Sequence, residues 1–514
     1  MPRRQRPRRR SARRVRRRGS GLRVARGPEQ ALRTRLRRAV PGRCGDARDR
    51  GARRARALVR GACASARGTC RGALVMPAHG DDGARERDAY RLVRADVVGR
   101  GVAAVNVQPA LLTVGSHQIV AYYGSDRGLR VALRTLPDGD WWTAVLDTTV
   151  GWDSHNYVAV GVDRAGHLHV AGNMHVTPLT YFRSSRPWDV TSLRRVPSMV
   201  DVAREQRVTY PRFRTAPDGR LHFYFRDGGS GQGDLLAYGY DEDTGRWVAA
   251  APGPLIDGEG KRSAYVDGDG PIPGPDGRFH MVWVWRDTPA AEDNHTVSYA
   301  TSRDLVEWSR ADGSPTGGLT FDSADVIDPV GVRRGLLNNN VRLGFDRGGR
   351  VVVVYHLRDE DGRLQVHAAS WAGSSWISRR LTNWDVVWDF EGYGSLEFLV
   401  RIDTPRPSAV GFTVEVGVGD RRRVLEVGPD LELVSCCDAS GEFSPLTPGP
   451  ADSGGLRAFY VADAASEGAL TRRLLEWVAM PVQRDRAIDG PEPAAREIRV
   501  LELSRGSVSS EGER

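Results

Sequence analysis

Asp163-Arg-Ala-Gly-His-Leu-His169, Pro217-Asp-Gly-Arg-Leu-His222 and Pro275-Asp-Gly-Arg-Phe-His280 are three copies of one pattern, and Asp346-Arg-Gly-Gly-Arg-Val351 is a weaker fourth. In each, Asp and Gly supply a tight turn and the residues after it begin an apolar strand. The turn glycines Gly166, Gly219, Gly277 and Gly349 lie 53, 58 and 72 residues apart. Each copy leads on to a strand with Tyr or His (Tyr181-Phe182, Tyr238-Gly-Tyr240, Tyr299-Ala300, His367-Ala368), then to a turn and a Trp (Trp188, Trp247, Trp308, Trp376). Such a four-stranded unit cannot bury both faces alone, so its copies must pack around a common axis.

Between them, runs such as Gln118-Ile119-Val120-Ala121-Tyr122-Tyr123 and Val351-Val352-Val353-Val354-Tyr355 read as strands, and helical periodicity is almost absent before residue 460. About seven units fit residues 100–470. The expected fold is all-β, a seven-bladed β-propeller of four-stranded antiparallel blades over 76–485. Residues 486–514 are expected to hold a closing strand at 498–503 and a disordered tail rich in Glu, Pro and Ser.

The 514 residues are 40% hydrophobic with negative mean hydropathy. No apolar run approaches the roughly 18 residues needed to span a membrane, so no membrane partner is expected. The net charge of +11 is uneven: residues 1–75 hold 26 Arg and three acids, a balance of +23, so 76–514 carry −12. The basic excess belongs to a leader, and no nucleic-acid partner is expected for the folded part. That leader reads as a nucleic-acid arm, a targeting segment, or translated upstream DNA. Arginines interrupt every apolar stretch a signal peptide would need. Arg occurs 74 times against one Lys, Lys261, which points to GC-rich coding DNA. The expectation is a disordered or non-native 1–75, with Met76 as the start. Three of the five cysteines (Cys44, Cys63, Cys70) fall there, and the pair Cys436-Cys437 makes no disulfide framework.

Two polar segments flank the first repeat strands: Trp152-Asp153-Ser154-His155-Asn156-Tyr157 and Ala171-Gly172-Asn173-Met174-His175. Their histidines are 20 residues apart, as at neighbouring strand ends of one hairpin. Each His could cap a strand or serve a site on the axis. Next come Thr209-Tyr210-Pro211-Arg212-Phe213 and Phe223-Tyr224-Phe225-Arg226-Asp227, followed by the glycine-rich 228–233. Arg226 ends an apolar strand and needs an anion there, either Asp227 or another local acid, or a ligand carboxylate. Later come Ser263-Ala264-Tyr265, Trp283-Val284-Trp285-Arg286-Asp287 and Asn294-His295. Trp285 suits a core or a sugar platform equally. His280 and His295 are candidates for a structural Zn²⁺, with Ca²⁺ as the other structural ion considered.

The string Asp153 to Tyr157, Asn173 to His175, Thr209 to Phe213, Phe225 to Gly231, Tyr265, Val282 to Thr288 and Asn294-His295 resembles the BNR-repeat propeller family that includes ulvan lyases and related rhamnose–uronate polysaccharide lyases. Ser302-Arg-Asp-Leu-Val-Glu-Trp308 is similar to a degenerate Asp-box. The resemblance covers about residues 100–400. By position it implies that His155 is the catalytic His and Tyr210 the catalytic Tyr. It implies that His175 and Arg226 face a uronate carboxylate and that Tyr265 is a further active-site Tyr. Asn156, Asn173, Trp285 and Arg286 are expected to bind substrate.

In β-elimination a base removes the C5 proton of a uronate while the C4 oxygen leaves. His155 suits the base, Tyr210 could protonate the leaving oxygen, and Arg226 with His175 could neutralise the carboxylate. No cofactor is required by this chemistry. The expected partner is an acidic polysaccharide or oligosaccharide, and the chain is expected to act as a monomer. The family acts outside the cell, yet no signal peptide is recognisable, so location is left open. A glycoside hydrolase on the same scaffold is the first alternative, though two facing carboxylates are not evident. A non-catalytic carbohydrate-binding propeller is the second.

Overall fold

The computed structural model describes residues 90–266, 270–439, 443–466 and 471–505. The expectations for 1–75, Met76, the first three cysteines and the extreme C-terminal tail lie outside the described residues.

The described chain is built from β-strands and four single-turn 3-10 helices. Along the main path of each sheet the strands follow sequence order, except in the last, where the first strand joins the final one. The first sheet holds Ala110–Val114, His117–Tyr123, Gly128–Thr135 and Trp142–Thr149. The second holds Val158–Val162, Leu168–Gly172, Tyr181–Ser184 and Leu193–Val196. An eleven-stranded sheet follows, made of two meanders. One contains His175–Thr177, Val208–Thr215, Leu221–Gly229 and Gln232–Asp241; the other contains Ser263–Val266, Phe279–Arg286 and Asn294–Ser302. Among the described residues their only strand pairing is the parallel contact of Gly233 with Ser263. Two more sheets are centred on Val351–Arg358 with Leu364–Trp371, and on Phe412–Val418 with Arg421–Val427. The last sheet orders Arg457–Ala462, Thr471–Ala479, Arg496–Arg505 and, outermost, Tyr90–Gly101. The closing strand expected at 498–503 lies inside Arg496–Arg505, so the last strand pairs with the first over its whole length.

Period-two alternation explains how each sheet buries both faces. In His117–Tyr123, residues Ile119, Ala121 and Tyr123 pack with Leu168 and Val170 of the second sheet. Val120 and Tyr122 point the other way, onto Leu475 and Val500 of the last sheet. At about 1.5–3 kcal/mol per buried aliphatic or aromatic side chain, these inter-sheet layers are the main stabilising term.

The repeat has a structural cause. Gly166, Gly219, Gly277 and Gly349 adopt φ between 73° and 85°, which the turn demands. In two of the copies the turn Asp then staples the turn to the strand behind it. His169 bonds Asp163 through Nε2 (3.3 Å) and Tyr181 Oη through Nδ1 (2.7 Å). His280 does the same with Asp276 (3.0 Å) and Tyr299 (2.6 Å). His280 therefore serves the blade, and the zinc expectation fails on geometry. His280 pairs with Thr301 and His295 with Trp285, at opposite ends of one hairpin.

Candidate active site

One pocket gathers residues from the turn at 150–157 and from both meanders. Asp153 starts a tight turn: its carboxylate accepts the His155 backbone N–H (2.9 Å), and its carbonyl accepts that of Asn156 (3.3 Å). The same carboxylate takes both histidines. Oδ1 contacts His155 Nδ1 at 2.7 Å, and Oδ2 makes a short contact with His175 Nδ1. The imidazoles stack with centroids 4.3 Å apart. A carboxylate between two Nδ1 atoms holds both rings as Nδ1–H donors, which leaves each Nε2 lone pair outward. Burial pushes the Asp153 carboxyl up, but the hydrogen bonds and charges of the two histidines outweigh it and hold it far below the ordinary range. Both rings stay partly open, with 20% and 29% of the side chain exposed.

Tyr210 enters through a defect in its strand. The Val208–Thr215 ladder skips between Thr209 and Arg212, and Tyr210 sits at φ 59°. Pro211, which has no N–H, follows it in the bulge. Bulges re-aim side chains, and here the Tyr210 ring comes to 6.0 Å from His155 and 6.0 Å from Tyr265. Burial pushes the Tyr210 phenol well up, against the opposing charge of Arg226, so it is a neutral proton donor.

Arg226, 2% exposed, lies with its guanidinium carbon 4.9 Å from the Tyr210 ring centre and 5.2 Å from that of Tyr265. Nε donates to the Gly228 carbonyl (3.2 Å), and neither Nη makes a well-formed hydrogen bond. Asp227 does not answer this charge: its side chain pairs with Arg204 (3.2 Å) and Arg207 (3.4 Å). Arg286 covers the other side of Tyr265 (4.5 Å) and donates to Asn338 Oδ1 (2.5 Å). Burial pushes the Tyr265 phenol up, but Arg226 and Arg286 outweigh it and lower it below its ordinary value. Tyr265 also meets Ser230 Oγ in a short hydrogen bond. Behind these groups is a cavity of about 30 Å³, lined in part by Tyr210, Arg226, Tyr265 and Asn339. It admits a small polar group but no sugar ring.

His155, His175, Tyr210, Arg226, Tyr265 and Arg286 therefore meet in one place. Two other expectations change. Trp285 is fully buried, donates to Ser298 Oγ (2.9 Å) and packs edge-on against Phe321, so it is core. Asn173, at φ 61°, turns its amide nitrogen to Thr148 Oγ1 (2.7 Å) and the Thr149 carbonyl (2.9 Å), tying the first two sheets together. Asn156 contributes its carbonyl to Tyr123 Oη (2.7 Å).

Sequence reading assigned no role to Asp153, although it sits two residues from His155. It also missed Asp485 and Ser395. Asp485 accepts from Ser154 Oγ (3.0 Å) and Ser395 Oγ (2.8 Å), and Ser395 Oγ lies 3.5 Å from His155 Nδ1. No sequence signal links positions that far apart. Asp153, His155 and His175 are also the three groups close enough to share a cation. With Asp153 accepting from both Nδ1–H groups, binding one through Nδ1 requires those protons to leave.

No curated protein matches the chain. Among solved structures, polysaccharide lyase Uly1 superposes with TM-score 0.50 at 14% identity, over 79% of this chain and 91% of its own. A PL25 ulvan lyase gives 0.51 at 13% identity over 80% and 96%. The structure of a PL25 ulvan lyase bound to -[GlcA(1-4)Rha3S]- gives 0.51 at 11%. These likenesses concern the fold. A family model described as BNR repeat-containing family member matches residues 117–384, more than half of the sequence, and the chain belongs to that family.

Proposed function

We propose that the chain is a polysaccharide lyase that cleaves a uronate-containing, rhamnose–glucuronate polymer by β-elimination on a seven-bladed propeller. The blade count follows if the eleven-stranded sheet is taken as two blades whose strands pair, among the described residues, only at Gly233 and Ser263. The observation that carries the function is the buried Arg226 guanidinium, with no well-formed hydrogen bond at either Nη, against the phenol of Tyr210, whose ring lies 6.0 Å from His155. A buried cation of this kind calls for an anion, and a uronate carboxylate is of the size the small cavity accepts. The ulvan lyase bound to its glucuronate–rhamnose ligand supports the same substrate class.

In this mechanism the carboxylate sits against Arg226, and His175 donates to it when protonated. Charge then builds on that carboxylate as C5 loses its proton. His155 takes the proton at Nε2, its Nδ1–H held by Asp153. Tyr210 gives its proton to the departing C4 oxygen, a double bond forms between C4 and C5, and the C4–O bond breaks. The elimination as written needs no metal or cofactor.

The test is incubation with ulvan followed by ultraviolet absorbance of the unsaturated uronate. Wild type is expected to generate the band, and His155→Ala to lose it while keeping its fold by circular dichroism. New reducing ends without absorbance would mean hydrolysis and overturn the reading, as would an active His155→Ala protein.

A further inference from the structure

At the opposite end of the strands from this pocket is a cavity of about 310 Å³, between the Phe279–Arg286 meander and the sheet of Val351–Arg358. Phe279 begins its strand beside the cavity and Arg286 ends it at the pocket. At about 3.4 Å per residue the two lie roughly 20–25 Å apart. The cavity belongs to neither the catalytic cluster nor its supports.

Its lining is mixed in a specific way. Trp371 and Trp376 form an aromatic corner, with centroids 5.7 Å apart and planes at 64°, and Tyr299 backs Trp376 at 5.1 Å. Arg278 and Arg350 supply guanidinium donors; Asp276 and Asp312 supply carboxylate acceptors. Arg350 is fixed by Asp346 (2.8 Å) and the Pro429 carbonyl (2.7 Å). Arg278 has no such anchor: its side chain makes no ion pair among the described residues.

We propose that this cavity binds a pyranose unit of a saccharide chain, as a second site separate from the catalytic pocket. The inference rests on the reading of the protein as polysaccharide-active. A sugar presents an apolar C–H face and a rim of hydroxyls that both donate and accept. The aromatic corner suits the first, and the guanidinium and carboxylate groups suit the second. A wholly apolar ligand would strand Arg278 and Asp312. A simple anion would face two carboxylates, and a simple cation two guanidinium groups. The volume lies at the lower end of that of small-molecule sites, far above the space one water needs. A polymer held here is kept near the pocket between cleavage events.

The test is affinity gel electrophoresis with ulvan in the gel, run on the full chain with His155→Ala as the non-cleaving background. Adding Trp371→Ala or Arg278→Ala is expected to weaken retardation at least three-fold. The Arg278 variant removes no core contact, so it carries the test if the Trp371 variant misfolds. Unchanged retardation in the Arg278 variant, or no retardation of the background protein, overturns the proposal. Product absorbance from the wild type is read separately: a chain retarded through this site that makes no unsaturated product would sink the lyase reading and leave this one standing.

Discussion

Asp153→Asn is the sharpest perturbation the pocket allows, because it changes one atom and forces a tautomer. The wild-type carboxylate accepts from both Nδ1 atoms. An amide has one accepting oxygen and one donating nitrogen. Whichever way it sits, one imidazole must now accept at Nδ1, which moves that ring's proton to Nε2. If the ring is His155, the lone pair that takes the C5 proton is gone. If it is His175, the amide keeps His155 oriented but removes the negative charge that both rings share. Positioned proton transfer contributes about 10²–10⁴-fold, equivalent to roughly 3–5 kcal/mol at 1.36 kcal/mol per decade. We expect kcat to fall by 10²–10⁴ with a smaller change in KM, since Arg226 and the cavity are untouched. The assay is initial-rate absorbance on ulvan, paired with nitrogen NMR of labelled histidine to report the tautomers. A variant with kcat within three-fold of wild type, or with both rings still Nδ1–H, would refute the role of Asp153.

Arg226→Met should lower kcat/KM by about 10²–10³, the loss typical of removing one charge-stabilising donor. Its Tm should fall little, because the guanidinium it deletes is buried with one well-formed hydrogen bond, Nε to the Gly228 carbonyl, and none at either Nη; a calorimetric Tm several degrees below wild type would show that Arg226 is structural. Stability should also depend on pH. Burial pushes His222, His356 and His367 down to about 4, while the unfolded chain titrates near 6.5. The unfolded state therefore binds these protons first. The stabilisation is complete above pH 6.5 and is lost as pH falls from about 6.5 to about 4. A Tm that stays flat across that window would contradict the assignment of these rings as buried and neutral.

The parts of the molecule that sequence revealed are those with local causes. The turn Asp and Gly and the following His sit within seven residues, and their staple is a local hydrogen-bond set. His155 and His175 bracket one hairpin, so their meeting could be anticipated from strand ends. Tyr210 was singled out by the family resemblance alone, because the bulge that aims it depends on pairing with the neighbouring strand. Trp285 was ambiguous because a buried strand on the axis and a sugar platform both favour an aromatic beside Arg; only the neighbouring Phe321, from a different segment, decides it for the core. Asn173 was misassigned because its amide answers Thr148 and Thr149 of another sheet, a contact set by inter-sheet packing. Asp485 reaches His155's turn from the far end of the chain, where the last sheet also takes in the first strand.

Strain gives an independent argument that this pocket has a task. Thirteen non-glycine residues among those described adopt positive φ. Four of them, Val176, Tyr210, Asn339 and Asp485, line or brace the one pocket. Val and Tyr have no short polar side chain to ease that conformation, and each such residue costs about 1–3 kcal/mol. Burying Arg226 without well-formed partners for its Nη atoms adds a desolvation penalty in the same place. A merely structural loop could relax every one of these costs: glycine at 210 would remove the strain, and an apolar residue at 226 would remove the unpaired charge. The strain instead coincides with the imidazoles, the phenol and the guanidinium, and the inter-sheet cores offset it elsewhere. Strain held at the point where a proton donor, a proton acceptor and a buried cation converge is what a preorganised catalytic site requires, since groups already aimed at the reacting atoms need not reorganise as the reaction proceeds.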